Sequence, residues 1–307
     1  MRYSRRQFIT AAAAGAGAAL LGGPLPAQEA GAPRPTDPFQ LVPLGHTGLQ
    51  VSLIGAGTGM SGTMRQSNQT RLGKEAFEAL LRHAYEQGIR WFDCADSYGT
   101  HPYVAGALSV MPREEYVIST KIWLWDGGLP EWERPEARVV VDRFRQELKT
   151  DYLDLVLLHC VSMPDWSAEL QGDLDGLEAL KQEGIIRAHG VSAHSVPALQ
   201  ACVDNPWVDS VHARINPFGD VMDDRPEVVA PVLQKLHDAG KGVVGMKLIG
   251  EGRYRNDPDK RDQAIRYVLG LGCVDTMVVG FERPEEVDDF ADRVRRALED
   301  QAHGAAA

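Results

Sequence analysis

The sequence is short of basic charge, and this shortage excludes two kinds of binding partner. Its 307 residues include 32 lysines and arginines against 43 aspartates and glutamates. Arg2, Arg5 and Arg6 stand at the very start, so the remainder has 29 basic residues against 43 acidic ones, a net charge of −14. A chain this acidic is a poor candidate for binding nucleic acid or an anionic membrane surface.

Cysteine is also scarce, and its distribution does not suit a metal site. The four cysteines are Cys94, Cys160, Cys202 and Cys273. They have none of the short spacings that mark zinc or other metal ligands. The sequence therefore predicts no metal centre.

The first 28 residues have the composition of an export signal. Residues 4–10, Ser-Arg-Arg-Gln-Phe-Ile-Thr, resemble a twin-arginine signal, and residues 11–22 form an apolar stretch rich in alanine and glycine. This stretch is shorter than the roughly 20 apolar residues of a membrane-spanning helix, so we predict no stable membrane anchor. We expect cleavage between Ala27 and Ala30 and export of the folded protein to the periplasm by the twin-arginine machinery.

The rest of the chain alternates short β-rich runs with amphipathic helical runs eight times. Strands are predicted at 51–55, 90–93, 117–121, 153–159, 188–192, 210–215, 242–247 and 276–280. Helices are predicted at 74–87, 104–111, 135–150, 174–183, 196–204, 226–239, 262–270 and 284–300. Eight such repeats in about 250 residues are typical of a (β/α)8 TIM barrel. The predicted organisation is a signal peptide at 1–28, a linker at 29–38, the barrel at 39–300 and a flexible tail at 301–307.

A doubly wound open sheet is the alternative architecture. Such a fold usually begins with a glycine-rich strand–turn–helix unit. Residues 55–59, Gly-Ala-Gly-Thr-Gly, have suitable glycines, but no helical pattern opens directly after them. The barrel is therefore favoured.

Four polar residues are placed together by the predicted strands. Asp93, Lys121 and His159 each close an apolar strand, and Tyr98 follows Asp93 by five residues. Burying a charged or polar side chain at a strand end costs free energy unless it has an ion-pair or hydrogen-bond partner. We therefore expect these side chains to be each other's partners in one shared pocket. A buried acid and a lysine can lower the pKa of a tyrosine, so that its phenol exchanges a proton near neutral pH. The set predicts a carbonyl-reduction site.

These residues make the chain resemble the aldo-keto reductases. Residues 91–99, Trp-Phe-Asp-Cys-Ala-Asp-Ser-Tyr-Gly, are similar to that family's acid-to-tyrosine segment, and Lys121 and His159 match the rest of its catalytic tetrad. The resemblance covers nearly the whole chain beyond the signal, with a hairpin at 39–48 that closes the barrel bottom. It implies that Tyr98 exchanges the proton, that Lys121 paired with Asp93 lowers its pKa, and that His159 binds the substrate oxygen.

The resemblance also implies a nicotinamide cofactor that lies across the strand ends. The positions that correspond to its binding residues are Gly57, Thr58, Asp93, Ser192, His212, Met246, Lys247, Gly280, Arg283 and Glu286. Ser192 matches the serine that binds the carboxamide, and His212 stands where the family often has glutamine. Met246 takes the place of an aromatic platform for the nicotinamide face. Lys247 can reach the pyrophosphate or pair with a nearby acid.

The choice between NADP(H) and NAD(H) stays open. Gly280 and Glu286 stand where NADP-specific relatives place basic residues, and carboxylates at Glu282 and Glu286 would repel a 2′-phosphate. Arg283 could instead bind that phosphate through two hydrogen bonds. Some relatives carry a C-terminal cysteine cluster for iron and sulfur, but residues 301–307 contain no cysteine, so we predict no iron-sulfur cluster.

Tryptophan is concentrated in two loops at the predicted catalytic face, at Trp123, Trp125, Trp132 and Trp166. These side chains either pack under long loops or form a stacking platform, for which Trp123 and Trp125 are the candidates. Such a wall suits a sugar or another bulky carbonyl or alcohol as the small-molecule substrate. Two other functions remain open: a nucleotide-binding interaction module without turnover, and a lyase or isomerase that uses bound cofactor transiently.

Overall fold

The computed structural model describes residues 35–304, which form a closed barrel of eight parallel strands. The barrel strands are β3 Ile54–Gly57, β4 Trp91–Asp93, β5 Val117–Ile122, β6 Leu153–Val161, β7 Ile186–Ala193, β8 Ser210–Arg214, β9 Gly242–Met246 and β10 Thr276–Gly280. Because β10 pairs with β3, the sheet has no open edge, and the doubly wound alternative is excluded. The predicted (β/α)8 fold is confirmed.

Helices surround the barrel. They are α1 Lys74–Gln87, α2 His101–Ala107, α3 Ala137–Leu148, α4 Trp166–Glu169, α5 Gln171–Gln182, α6 Val196–Ala201, α7 Pro226–Asp238, α8 Pro258–Leu271 and α9 Pro284–Gly304. The last helix begins with proline and carries Glu285 and Glu286 in its first turn, which suits the positive end of the helix dipole. The predicted tail needs correction, since residues 301–304 continue this helix. No described helix is long and apolar enough to cross a membrane.

A two-stranded hairpin precedes the barrel and corrects one predicted boundary. Its strands are β1 Leu41–Pro43 and β2 Gln50–Ser52, so the strand predicted at 51–55 spans parts of two elements. The switch occurs at Leu53, whose N–H donates to Gln40 while its carbonyl accepts from Met277 in the barrel. The apolar pattern runs unbroken through this point because both elements are buried.

The barrel has an inner core that the hairpin closes from below. Trp91, Val117, Leu155 and other inward-facing strand residues pack together with the hairpin residues Val42, Leu44, Leu49 and Val51. A larger apolar layer fills the space between the strands and the helices. The inner core is therefore apolar, whereas Asp93, Lys121 and His159 lie towards the carboxyl ends of their strands.

Candidate active site

A buried ion pair between Asp93 and Lys121 lies at the base of the site. Asp93 ends β4, and Lys121 lies in the neighbouring strand β5. Lys121 Nζ donates to both carboxylate oxygens of Asp93, at 2.7 and 2.6 Å, and to the carbonyl oxygen of Cys94 at 2.8 Å. Burial opposes the charge of Asp93, but Lys121 and His212 together outweigh burial and hold the pKa of Asp93 well below its usual range.

Tyr98 lies beside this pair and faces His159. It ends a short 3-10 turn, Asp96–Tyr98, and its hydroxyl lies 3.4 Å from Nε2 of His159. Lys121 Nζ lies over the ring of Tyr98, 5.3 Å from its centre. The structure thus brings together all four residues that the strand ends single out, and their catalytic roles stay a prediction.

The pKa of Tyr98 shifts in the direction opposite to the one predicted. Burial and the negative charge of Asp93 raise the pKa of Tyr98 well above its usual value. A lysine ammonium has three hydrogens, and here Lys121 directs them to the two oxygens of Asp93 and to Cys94 rather than to the phenol. Tyr98 is therefore protonated at neutral pH, which is the form that can give a proton.

His159 is held as a neutral ring. It is only 4% exposed, and burial together with the charge of Lys121 lowers its pKa well below the usual value. The next residue, Cys160, has a φ of 57°, and the pairing of β6 with β7 is irregular at this point. Such irregularities redirect side chains beside active sites. The indole N–H of Trp125 donates to the carbonyl oxygen of His159 at 2.7 Å and fixes the backbone there.

The turn that carries Tyr98 is anchored by a buried carboxylate. Asp96, two residues before Tyr98, is 3% exposed. Arg143 donates to its two oxygens at 3.0 and 2.7 Å, and Arg65 lies 3.3 Å from one of them. The two arginines offset the charge of Asp96, and among carboxylates Asp93 has the largest effect on the pKa of the phenol.

A groove runs from Tyr98 across the ends of β3, β9 and β10. Its empty volume is about 620 Å³, and it adjoins a second hollow of about 420 Å³ beside α9. The residues that line both parts are Met60, Ile249, Gly252, Val279 and Gly280. The predicted cofactor residues that line one part or the other are Gly57, Asp93, Met246, Lys247, Gly280 and Glu286. This shape suits an elongated ligand whose one end meets Tyr98.

Other predicted cofactor residues are engaged by the protein itself or lie in solvent. The hydroxyl of Thr58 donates to the carbonyl oxygen of Asp93 at 2.8 Å. Ser192 Oγ lies 3.3 Å from Nε2 of His194. Arg283 is 69% exposed. Their roles toward a cofactor stay predictions.

Sequence reasoning missed Arg255, which lines the second part of the groove. Its Nη2 lies 2.7 Å from Glu282 and 3.2 Å from Glu286. Glu282 also accepts a hydrogen bond from Asn68 at 2.8 Å, so it joins loops on two sides of the groove. Arg255 lies in a turn with no motif beside it, and no sequence signal could have singled it out.

The four tryptophans have different surroundings. The ring of Trp123 meets His159 edge-on, with centres 5.3 Å apart, and its N–H donates to the carbonyls of Trp125 and Gly127. Trp132 is 92% exposed, whereas Trp166 is fully buried. Trp123 thus borders the site and Trp125 supports His159, whereas Trp166 packs in the core, in agreement with the packing alternative for this residue.

Two glycines hold the ring of Tyr98 from the loop after β3. A Cβ added at Gly59 or Gly62 would overlap the ring atoms of Tyr98. We expect Gly59→Ala to lower kcat by about tenfold or more, because displacing a reacting group by about 1 Å can cost 10²-fold. Gly270→Ala, in α8 with open space around it, is the matched control and should leave kcat unchanged. Equal kcat values for the two variants would show that the ring position is not critical.

No group of three or more potential metal ligands occurs within residues 35–304. The four cysteines are unpaired there, and Cys94, Cys202 and Cys273 are buried.

Comparisons with known proteins agree with the barrel fold. A sequence model described as the aldo/keto reductase family matches residues 54–266. Among curated proteins, an uncharacterised oxidoreductase of Bacillus subtilis is 28% identical over 68% of this chain and 66% of its own. The L-galactose dehydrogenase of Arabidopsis thaliana is 27% identical over 50% of this chain and 48% of its own. The chain thus spans two thirds or less of the length of these two relatives.

A solved structure from Pseudomonas aeruginosa, described as an aldo-keto reductase, has the same architecture. It superimposes with a TM-score of 0.68 at 26% identity, and the alignment covers 85% of this chain and 97% of that one. The likeness includes the whole barrel.

Proposed function

The chain belongs to the aldo/keto reductase family, and we propose that it transfers a hydride between a nicotinamide dinucleotide and a carbonyl–alcohol pair. One observation carries this proposal. The Tyr98 hydroxyl lies 3.4 Å from the neutral ring of His159 at the end of a long groove, directly beside the buried Lys121–Asp93 pair. A proton donor and a neutral hydrogen-bonding ring that converge on one point are what a carbonyl oxygen requires when it is reduced.

The residues divide the proton chemistry between them. When bound in the groove, the cofactor would supply the hydride to the carbonyl carbon or accept it from the alcohol carbon. As negative charge develops on the carbonyl oxygen, Tyr98 gives it the phenolic proton, and in the reverse direction the phenolate takes the proton back. His159 holds the oxygen beside the phenol. The raised pKa of Tyr98 keeps the phenol protonated at neutral pH, which is the form that reduction of a carbonyl uses.

We propose a bulky carbonyl or alcohol, such as a sugar, as the substrate. Trp123 supports this proposal because its ring stands edge-on to His159, at the place where a substrate oxygen would bind. Aromatic side chains offer flat apolar faces on which sugar rings can pack. The name of the Arabidopsis relative refers to a sugar, which agrees with this choice.

We also propose that the chain is exported through its twin-arginine motif, which lies outside the described residues. Nicotinamide cofactors are not expected to be free outside the inner membrane, so an exported reductase must hold its cofactor tightly or recycle it through a second substrate. The bridge from Asn68 through Glu282 to Arg255 supports tight retention, because it joins loops around the groove.

The test of this proposal is the nucleotide content of the exported protein. The full chain would be expressed, purified from the periplasm and denatured, and any released nucleotide would be identified by chromatography and mass. We expect stoichiometric NADP or NAD, together with reduction of carbonyl substrates. An empty protein that also fails to bind either nucleotide would refute the redox function and favour an interaction module. Isomerisation or elimination without added nucleotide would favour the lyase or isomerase.

The cofactor preference depends on the carboxylates near the second hollow. We expect Glu286→Gln to improve the Kd for NADP relative to that for NAD by about five- to tenfold, because it removes a like charge near a 2′-phosphate at an effective dielectric constant of about 20. Titration of the protein fluorescence with each cofactor gives the two Kd values. Glu285→Gln, which removes the same charge one residue earlier, is the control. An unchanged ratio of the two Kd values would show that the 2′-phosphate of NADP does not bind near Glu286.

A further inference from the structure

A hydrogen bond crosses the interior of the barrel beneath the site. In the closed strand order, β4 and β8 are four strands apart and therefore opposite each other. Nevertheless, Nε2 of His212 on β8 lies 3.2 Å from Oδ1 of Asp93 on β4. His212 is completely buried, so its ring spans the interior to reach the carboxylate.

The contact fixes the protonation of His212. Burial lowers the pKa of His212, so the ring is neutral at neutral pH. An ionised carboxylate only accepts hydrogen bonds, and a neutral imidazole carries one N–H. The hydrogen must therefore lie on Nε2, where it is donated to Asp93, and Nδ1 carries no hydrogen. The charged groups that act on His212 are Asp93 and Lys121.

His212 completes the set of donors around Asp93. Oδ1 also accepts from Ser119 Oγ at 2.7 Å and from Lys121 Nζ at 2.7 Å, and Oδ2 accepts from Lys121 at 2.6 Å. Trp91 supports two of these donors from below. Its N–H donates to Ser119 Oγ at 2.7 Å, and its ring meets His212 edge-on with centres 5.7 Å apart. Asp93 is thus held from both sides of the barrel.

We propose that His212 is a positioning residue of the acid–base site, which holds the Asp93 carboxylate against Lys121 from across the barrel. The inference rests on the proposed reductase function. If the carboxylate is not held, it can rotate and release Lys121 from its present geometry, and the field that both groups exert on Tyr98 then changes. This role differs from the cofactor contact that the family resemblance implies for His212.

The two roles differ in their kinetic signatures. His212→Leu removes the donor, and a positioning role then predicts a fall in kcat of about 10- to 100-fold, the range expected for one hydrogen bond to a charged group. The Kd for the cofactor should stay within twofold. His212→Gln, which keeps an N–H donor of similar reach, should restore most of kcat. Ser192→Ala serves as the contrast, because the loss of a carboxamide contact should raise Kd.

The experiment measures single-turnover hydride transfer and cofactor Kd for these three variants, each checked for folding by its thermal melt. A rise in Kd with unchanged hydride transfer in His212→Leu would overturn the inference and make His212 a cofactor contact. A ¹⁵N spectrum of labelled histidine tests the hydrogen bond without any activity, with the His212 signals assigned by their loss in His212→Gln. We expect a neutral ring with hydrogen on Nε2, and hydrogen on Nδ1 alone would refute the contact. An inactive wild type with the expected spectrum would count against the reductase function rather than the contact.

Discussion

Replacing Tyr98 with phenylalanine should lower kcat for carbonyl reduction by about 10²- to 10⁴-fold, the range that a positioned general acid contributes. The substitution removes one oxygen atom, which lies 3.4 Å from His159, and keeps the ring between the glycines that hold it. The Kd for the cofactor should therefore change little. Steady-state kinetics over pH 5 to 9 would give the change in kcat, and a fluorescence titration would give the change in the Kd for the cofactor.

A matched control for Tyr98→Phe is available in the same barrel. Tyr267 lies in α8, half-buried and away from the groove, and Tyr267→Phe removes the same atom without touching the site. It should keep the kcat of the wild type. If Tyr98→Phe were as active as Tyr267→Phe on any substrate, the proton would come from another group and the proposed mechanism would fail.

The second large effect, a loss of both stability and activity, is expected from Lys121→Met. This change leaves the buried carboxylate of Asp93 without its ammonium partner, and breaking a buried pair in this way costs about 3–5 kcal/mol of unfolding free energy. Activity should fall as well, because Asp93 would then adjust its position and charge beside Tyr98. Lys74→Met is the control: Lys74 is 70% exposed, and its partner Glu78 also pairs with Arg82, so the change should cost about 0–1 kcal/mol.

The pH dependence of stability gives Lys121→Met a distinctive signature. In the wild type, the pKa of Asp93 is depressed below that of the unfolded chain, so its contribution is fully present above about pH 4 and is lost only as the pH falls further. Between pH 5 and 8 this contribution is constant. In the variant, burial without Lys121 raises the pKa of Asp93, and the folded state gains stability as the pH falls.

Urea unfolding at pH 5 and pH 8 would measure this difference. We expect the cost of Lys121→Met, relative to wild type, to be smaller at pH 5 than at pH 8. If the pKa of Asp93 in the folded variant lies one pH unit above 5, the two costs should differ by about 1.4 kcal/mol. A cost that is the same at both values of pH would show that Asp93 stays ionised without Lys121. The other donors, Ser119 and His212, would then be sufficient to hold the charge.

The barrel and the meeting of the four site residues were predictable from the sequence, because parallel strands bring their ends to one rim. Asp93, Lys121 and His159 each close an apolar run, so a parallel arrangement of these strands places all three at the same rim. The direction in which the pKa of Tyr98 moves was not predictable. It depends on how deeply the phenol is buried and on how close the charge of Asp93 lies, and residue type alone encodes neither.

Contacts between segments that are distant in the sequence could not be predicted either. The bond from His212 to Asp93 joins residues 119 positions apart, and Arg255 meets Glu282 across a groove that only the folded loops create. The strand boundary at Leu53 was missed for a local reason: the hairpin and the first barrel strand are both buried, so their apolar patterns merge. A hydrophobic pattern indicates which residues are buried, but it does not indicate which strand their backbone groups pair with.

The hairpin under the barrel has a consequence for the order of events during synthesis. Gly45 donates its backbone N–H to the side chain of Asp275 at 3.1 Å, and Leu53 accepts a hydrogen bond from Met277. The hairpin thus has partners that are synthesised some 230 residues later. These contacts at the barrel bottom can form only once Asp275 and Met277 have been synthesised. We propose that this protein crosses a membrane after it has folded. A chain truncated before Asp275 would lack these contacts and would expose the apolar face of the hairpin, and this exposed face distinguishes it from the full-length protein.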